Sequence, residues 1–140
     1  MDPLDFLAVA RNLSESAQES GRRTSVGRSY YGVFNHLRLK LKPIKRLPGT
    51  EEDHQAVVQY LMAANNADLS SVGQSLKDLR TSRNVADYDM KAAVDHDQSR
   101  LALVRADKAI EKFHGVNDAN LRAAIGALAT FRGRRESKSR

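Results

Sequence analysis

The sequence predicts an all-α fold, an antiparallel bundle of five to six helices in a single domain, and three observations predict it. Apolar residues recur at three- and four-residue spacing along almost the whole chain, the mark of one buried stripe per helix. Only 3 prolines occur, and Pro43 and Pro48 fall together between two periodic stretches. The 41% apolar share over 140 residues suffices for one core. No apolar run approaches the roughly 18 residues that span a bilayer, so no membrane segment is expected.

Asp2 and Pro3 form a cap and first-turn pair that opens a first helix to about Ser20, with Phe6, Ala10, Leu13 and Ala17 inward and Gly21 as its break. A second helix covers about Arg22 to Lys42. Its Val26, Tyr30, Val33, Phe34, Leu37 and Leu41 share one face, and Pro43 with Pro48-Gly49 ends it. Thr50 and Asp53 have the spacing of a loose capping box, Asp standing for Glu or Gln. The third helix that follows, to about Ala64, turns Ala56, Val57, Tyr60 and Leu61 inward. A fourth runs from about Leu69 to Ala86 through Val72, Leu76 and Leu79. The acidic connection Asp87 to Asp97 leads into a fifth helix, about Asp95 to His114, capped by Asp95 or Asp97 and stopped by Gly115. A last amphipathic stretch, Asn117 to Arg132, places Leu121, Ala124, Ile125 and Leu128 on one side. The domain is expected to cover residues 1–131, and a basic tail residues 132–140.

Charge is distributed unevenly. The net charge is +6, yet the eight basic residues between Ser20 and Thr50 (Arg22, Arg23, Arg28, Arg38, Lys40, Lys42, Lys45, Arg46) meet no acid, and the tail from Arg132 adds five more against Glu136. The rest of the chain is therefore acidic. A polyanion is expected on the second helix or the tail; solubility alone is the other explanation for a basic face. With no cysteine there is no disulfide, thiolate nucleophile, sulfur-ligated zinc or iron–sulfur cluster. The start, MDPLDF, lacks the profile of a signal peptide, and a cytoplasmic location is expected.

One residue breaks the apolar pattern. At about 100° per residue, Val72, Leu76, Leu79, Arg83 and Ala86 lie in one stripe of the fourth helix, so Arg83 points where a leucine belongs. Such a guanidinium meets a carboxylate, snorkels from the helix end, or opens onto a pocket that takes an anion, and the pattern leaves all three open. Around it, Arg83-Asn84-Val85-Ala86-Asp87-Tyr88-Asp89 packs cation, amide, carboxylate and phenol into less than two turns. The second helix repeats the theme in Arg28-Ser29-Tyr30-Tyr31-Gly32-Val33-Phe34-Asn35-His36, with Arg28, Tyr31 and Asn35 along one flank.

Taken together, these two segments resemble the HEPN superfamily of small helical bundles, most closely its stand-alone prokaryotic members. Their second helix reads like Arg28 to Phe34, their fourth ends like Leu79 to Asp89, and His54 in Asp-His-Gln-Ala-Val-Val resembles the start of their third. The resemblance covers about Arg22 to Phe113. It implies a dimer in which an Arg-x4–6-His motif from each subunit meets across a shared cleft and cleaves RNA without metal: a ribose 2′-OH attacks the adjacent phosphate, histidine moves protons, and arginine holds the phosphorane charge. Arg83 matches the arginine and Asn84 the polar residue that often follows it. The histidine is missing: Tyr88 stands in its place, and a phenol with an ordinary pKa of about 10 is a poor base at neutral pH.

Of the four histidines, His36 is the best placed to substitute, because the second and fourth helices would share the cleft; His54, His96 and His114 read as first-turn, loop and helix-end residues. The candidate catalytic set is Arg83, Asn84, Tyr88 and His36, and the nucleic-acid-binding set Arg28, Tyr31, Arg80 and Arg83. Asp87, Asp89, Asp95 and Asp97 have the chemistry of magnesium ligands, but capping and pairing with Arg80 or Arg83 explain them more simply, so no metal and no cofactor is expected. No glycine-rich phosphate loop, HExxH or Gly-x-Ser-x-Gly occurs. The resemblance implies first an RNA- or nucleotide-binding component of a defence or toxin–antitoxin module, with weak or absent cleavage. Its alternative is a non-enzymatic homodimeric module that partners a small nucleotidyltransferase. A ribonuclease with a displaced base comes third.

Overall fold

The computed structural model describes residues 1–133 and is built from six helices: α1 (Asp5–Leu13), α2 (Glu19–Leu41), α3 (Asp53–Ala63), α4 (Ala67–Tyr88), α5 (His96–His114) and α6 (Asp118–Gly126). No strand occurs among the described residues, and none of their helices is long and apolar enough to cross a membrane. The long helices α2, α4 and α5 pack on one another, α1 lies on α2, and α3 lies on α4. Helix α2 runs antiparallel to α4, since Arg23 meets Ala86 and Tyr31 meets Arg83. It runs parallel to α5, since Arg22 meets Val94 and His36 meets His114.

The predicted inward faces of α2, α3 and α4 carry the core, whereas on α1 the buried residues are Leu7 and Ala10, with Phe6 and Leu13 half-buried and Ala17, past its end, exposed. Val26, Val33, Leu37, Leu41, Val57, Leu61, Val72, Leu76 and Leu79 are buried in one cluster, each burial contributing about 1.5–3 kcal/mol by removal of apolar surface from water. Buried serines tie the layers: Ser25 Oγ on α2 donates to the Ala10 carbonyl of α1 at 2.7 Å, and Ser99 Oγ on α5 donates to that of Ser14 at 2.7 Å.

Boundaries differ from expectation where side chains compete for backbone groups. The first helix ends at Leu13, not Ser20, because the serine hydroxyls offer local alternatives: Ser14 Oγ donates to the Arg11 carbonyl and Ser16 Oγ accepts from the Gln18 N–H. Gly21 is not the break but a first-turn residue of α2. A Cβ there would lie 2.6 Å from Ser16 Cβ, so the glycine is what lets the α1–α2 turn fold against the helix. Gly32 likewise admits α1, a Cβ there coming within 2.9 Å of Leu7. The Thr50–Asp53 box is shifted by a residue: Thr50 Oγ1 accepts from Glu52 N–H, and Asp53 Oδ1 from Gly49 N–H at 2.7 Å. Helix α4 starts earlier than predicted, with Asn66 accepting from Leu69 N–H. Asp95 caps α5 in a full capping box with Gln98. Helix α6 stops at Gly126 rather than Arg132. The chain then extends so that the Phe131 N–H donates to the Tyr60 hydroxyl, which donates to the Arg46 carbonyl. From residue 134 on, the predicted basic tail lies outside the described residues.

Candidate anion-binding site

The site is assembled where the C-terminal half of α4 lies against the first half of α2. Arg83 occupies the apolar stripe as predicted, and its side chain is 17% exposed. Its guanidinium lies over two rings, 5.1 Å from the centroid of Tyr31 and 5.5 Å from that of Tyr88, close enough for cation–π attraction to both. Nη2 donates to the Tyr31 hydroxyl at 2.6 Å, and Nη1 to Asn84 Oδ1 at 3.0 Å. Nε sits 2.9 Å from Asp87 Oδ2, but that carboxylate is out of line with the N–H, so this buried donor gains a charge partner without a hydrogen bond. The three alternatives left open by the pattern thus resolve into a carboxylate pair with the buried Nε donor unspent.

One turn earlier on α4, Arg80 is half-buried and forms no ion pair among the described residues. It faces a buried pair, the Tyr30 hydroxyl 2.8 Å from His54 Nδ1. Burial pushes Tyr30 up to about 12, against the cations of Arg80 and Arg83. Burial, helped by the Arg80 charge, pushes His54 down to about 4, so the imidazole is neutral at physiological pH. Phe34 stacks on Tyr30 at 5.7 Å and lies 5.9 Å from His54, and Arg38, 3.7 Å from buried Asp53, sits over the Phe34 ring. Cations thus meet rings at two points of this face, Arg38 over Phe34 and Arg83 between Tyr31 and Tyr88, with the charge of Arg80 felt at Tyr30 and His54 between them. Phe34, Arg38 and His54 were missed as site residues by the sequence reading. The signal was the three- and four-residue spacing of Tyr30, Tyr31, Phe34 and Arg38, which on its own describes a helix face at the core rim.

Two predicted residues are elsewhere. His36 turns from α2 toward α5, where its Nε2 lies 2.9 Å from His114 Nε2 and its ring meets Phe113 edge-on, so it is not a proton-transfer partner of Arg83. Arg28 lies over the Phe6 ring of α1, 5.1 Å from its centroid, rather than beside Arg83. The basic second helix is also less available to a polyanion than its sequence suggests. Arg22 donates to the carbonyls of Val94, Ser16 and Ala17. Arg23 donates to those of Val85, Ala86, Asp89 and Ala92, and Lys45 to that of Gly126. Of the four aspartates weighed as magnesium ligands, Asp87 pairs with Arg83, Asp89 accepts from the Lys91 and Ala92 N–H groups, Asp95 caps α5, and Asp97 pairs with Arg100.

No family model matches the chain. Two proteins of Methanocaldococcus jannaschii are similar to it. MJ0992 is 28% identical over 109 residues, 64% of this chain and 62% of the relative; MJ0628 is 30% identical over 108 residues, 65% of each. Both carry the description "uncharacterized", and the chain spans less than two thirds of the length of these curated relatives. No solved structure matches.

Proposed function

We propose that this chain is a HEPN-type RNA- or nucleotide-binding domain that grips a phosphate between Arg80 and Arg83 and stacks an adjacent base on the exposed Tyr88 ring, without cleaving the strand itself. The observation that carries the reading is the Arg83 guanidinium lying between the Tyr31 and Tyr88 rings, with Arg38 over Phe34 further along α2, a combination of charge and aromatic faces of the kind by which single strands are held through backbone charge and base stacking. Arg80 brings a charge that no carboxylate among the described residues pairs with, and Tyr88 is 72% exposed. Cleavage is left out because proton transfer lacks an agent: Tyr88 stands where the motif histidine belongs, His36 is held by His114, and His54 is a buried, weakly basic imidazole bonded to Tyr30. A place in a defence or toxin–antitoxin module, and a shared cleft in a homodimer, rest on the HEPN resemblance.

The test is fluorescence anisotropy of a labelled single-stranded RNA across a salt series, with an EDTA cleavage assay alongside. Expected are salt-dependent binding, a loss of about tenfold with Arg83→Ala or Arg80→Ala, a log–log salt slope shallower by about one unit, and no 2′,3′-cyclic phosphate ends. Binding indifferent to both arginines overturns the reading; Arg83-dependent cleavage restores the ribonuclease.

A second reading is favoured by one observation. Val85, Tyr88 and Met90 are all exposed apolar or aromatic side chains at the end of α4. They suit a protein interface, and the alternative is a non-enzymatic homodimeric module that partners a small nucleotidyltransferase. Light scattering of the purified chain, and loss of self-association in Tyr88→Ala/Met90→Ser, test it.

A further inference from the structure

Roughly 140° around α2 from Tyr31, at 100° per residue, His36 faces a different neighbour and a different chemistry. It is 7% exposed, packed edge-on to Phe113, and its Nε2 lies 2.9 Å from Nε2 of His114, the exposed last residue of α5. We propose that His36 and His114 form a two-histidine chelate for a divalent transition-metal ion of square-planar or octahedral preference, Ni(II) or Cu(II), with water in the other positions.

The separation selects the ion. In the structure the two Nε2 atoms share a hydrogen bond; with its proton displaced and metal–nitrogen bonds of about 2.05 Å, donors 2.9 Å apart subtend about 90° at the metal, the cis angle of square-planar and octahedral coordination. A tetrahedral zinc ion needs them about 3.3 Å apart, about 0.4 Å farther than they stand, so zinc would have to turn the His114 ring outward. Imidazole suits these ions, and the ligand must be the neutral base. Phe113 against His36 fixes one arm, while the solvent-facing His114 supplies an entry path. The α5 C-terminal end presents the negative pole of the helix dipole, and the Asp2 carboxylate adds a negative charge near His36; Lys40 opposes both. Among the described residues no three His, Cys, Asp or Glu side chains converge, which is why the proposal is a two-histidine chelate completed by water. Binding would pin the ends of two parallel core helices together.

The experiment is a Ni(II) titration of the untagged full chain, followed by calorimetry and by NMR of the histidine ring signals. Equimolar binding is expected, with paramagnetic broadening of the His36 and His114 rings while His54 stays sharp. His114→Ala, an exposed change that leaves the core intact, should weaken binding by about tenfold or more, and His96→Ala should change nothing. Unaltered affinity in His114→Ala, broadening centred on His54 or His96, or no binding at millimolar nickel overturns the site. Zinc binding tighter than nickel overturns the assignment of the geometry.

Discussion

Arg23 and Arg83 hold the same end of α4 by opposite means. Arg23 reaches across from α2 and gives its donors to backbone carbonyls, those of Val85, Ala86, Asp89 and Ala92. Apart from Val85, whose carbonyl also accepts from the Asp89 N–H, these are acceptors at the end of the helix and in the loop beyond it, so the guanidinium works as a C-terminal cap supplied from another helix. Arg83 gives its donors to side chains, Tyr31 and Asn84, with Asp87 at its flank. Carbonyls fixed in a helix cannot move aside for a ligand, whereas an exposed amide and a partly exposed carboxylate can. The first arginine is committed to the fold and the second is exchangeable.

The largest effect should come from breaking the committed one. Arg23→Ala leaves several carbonyls without their charged donor and is expected to cost about 2–4 kcal/mol, read as a shifted urea midpoint. Arg83→Ala loses fewer fold contacts and should cost less than Arg23→Ala, while abolishing most RNA binding. Equal destabilisation by both would erase the distinction.

Acid sharpens the same contrast, because the ring side of the Arg83 region rests on a neutral histidine. His54 is pushed down to about 4 in the fold, while a histidine in the unfolded chain protonates near about 6.5. Between these values the unfolded chain binds the extra proton, so the contribution is complete above about pH 6.5 and is lost as pH falls toward about 4. The lowered pKa of His36 acts in the same direction. Urea midpoints between about pH 7 and 4 should therefore fall, and His54→Asn should flatten part of that slope.

A smaller change isolates one contact. Tyr31→Phe keeps the ring under Arg83 and deletes only the hydroxyl that accepts from Nη2. A stability loss of about 1 kcal/mol is expected, with RNA affinity reduced less than in Arg83→Ala. An RNA loss as large as that of Arg83→Ala would mean that the hydroxyl, not the cation, makes the contact.

Much of this was legible in the sequence, and the remainder was hidden for physical reasons. The helix count and inward faces follow from periodicity, which depends only on neighbours along the chain. Arg83 was visible because a cation on the line of Val72, Leu76 and Leu79 violates that periodicity. The role of Arg23 was not, since a sequence displays charge but not which carbonyls will end a helix unsatisfied. His36 misled because helix phase gives the direction of a side chain, not the identity of the neighbour it meets, and α5 lies there rather than the cleft. The early end of α1 turned on serine hydroxyls competing for backbone groups, a contest that apolar spacing does not register.

The finest distinction lies in Asp87. Its carboxylate is partly exposed and lies beside Arg83 without a hydrogen bond to Nε, so it neutralises the charge without consuming the donor. Asp87→Asn removes the charge and nearly preserves the shape. As a partly buried i,i+4 pair without a hydrogen bond it should cost about 0.5–1 kcal/mol. If Arg83 were only a structural cation, nothing further would follow. If Arg83 binds phosphate, Asp87 is an internal competitor for the same charge, and its removal should tighten RNA binding severalfold at low salt, with the gain shrinking as salt screens it. Anisotropy titrations of the variant at low and high salt decide between the two, because the structural role predicts no change in affinity where the binding role predicts a gain.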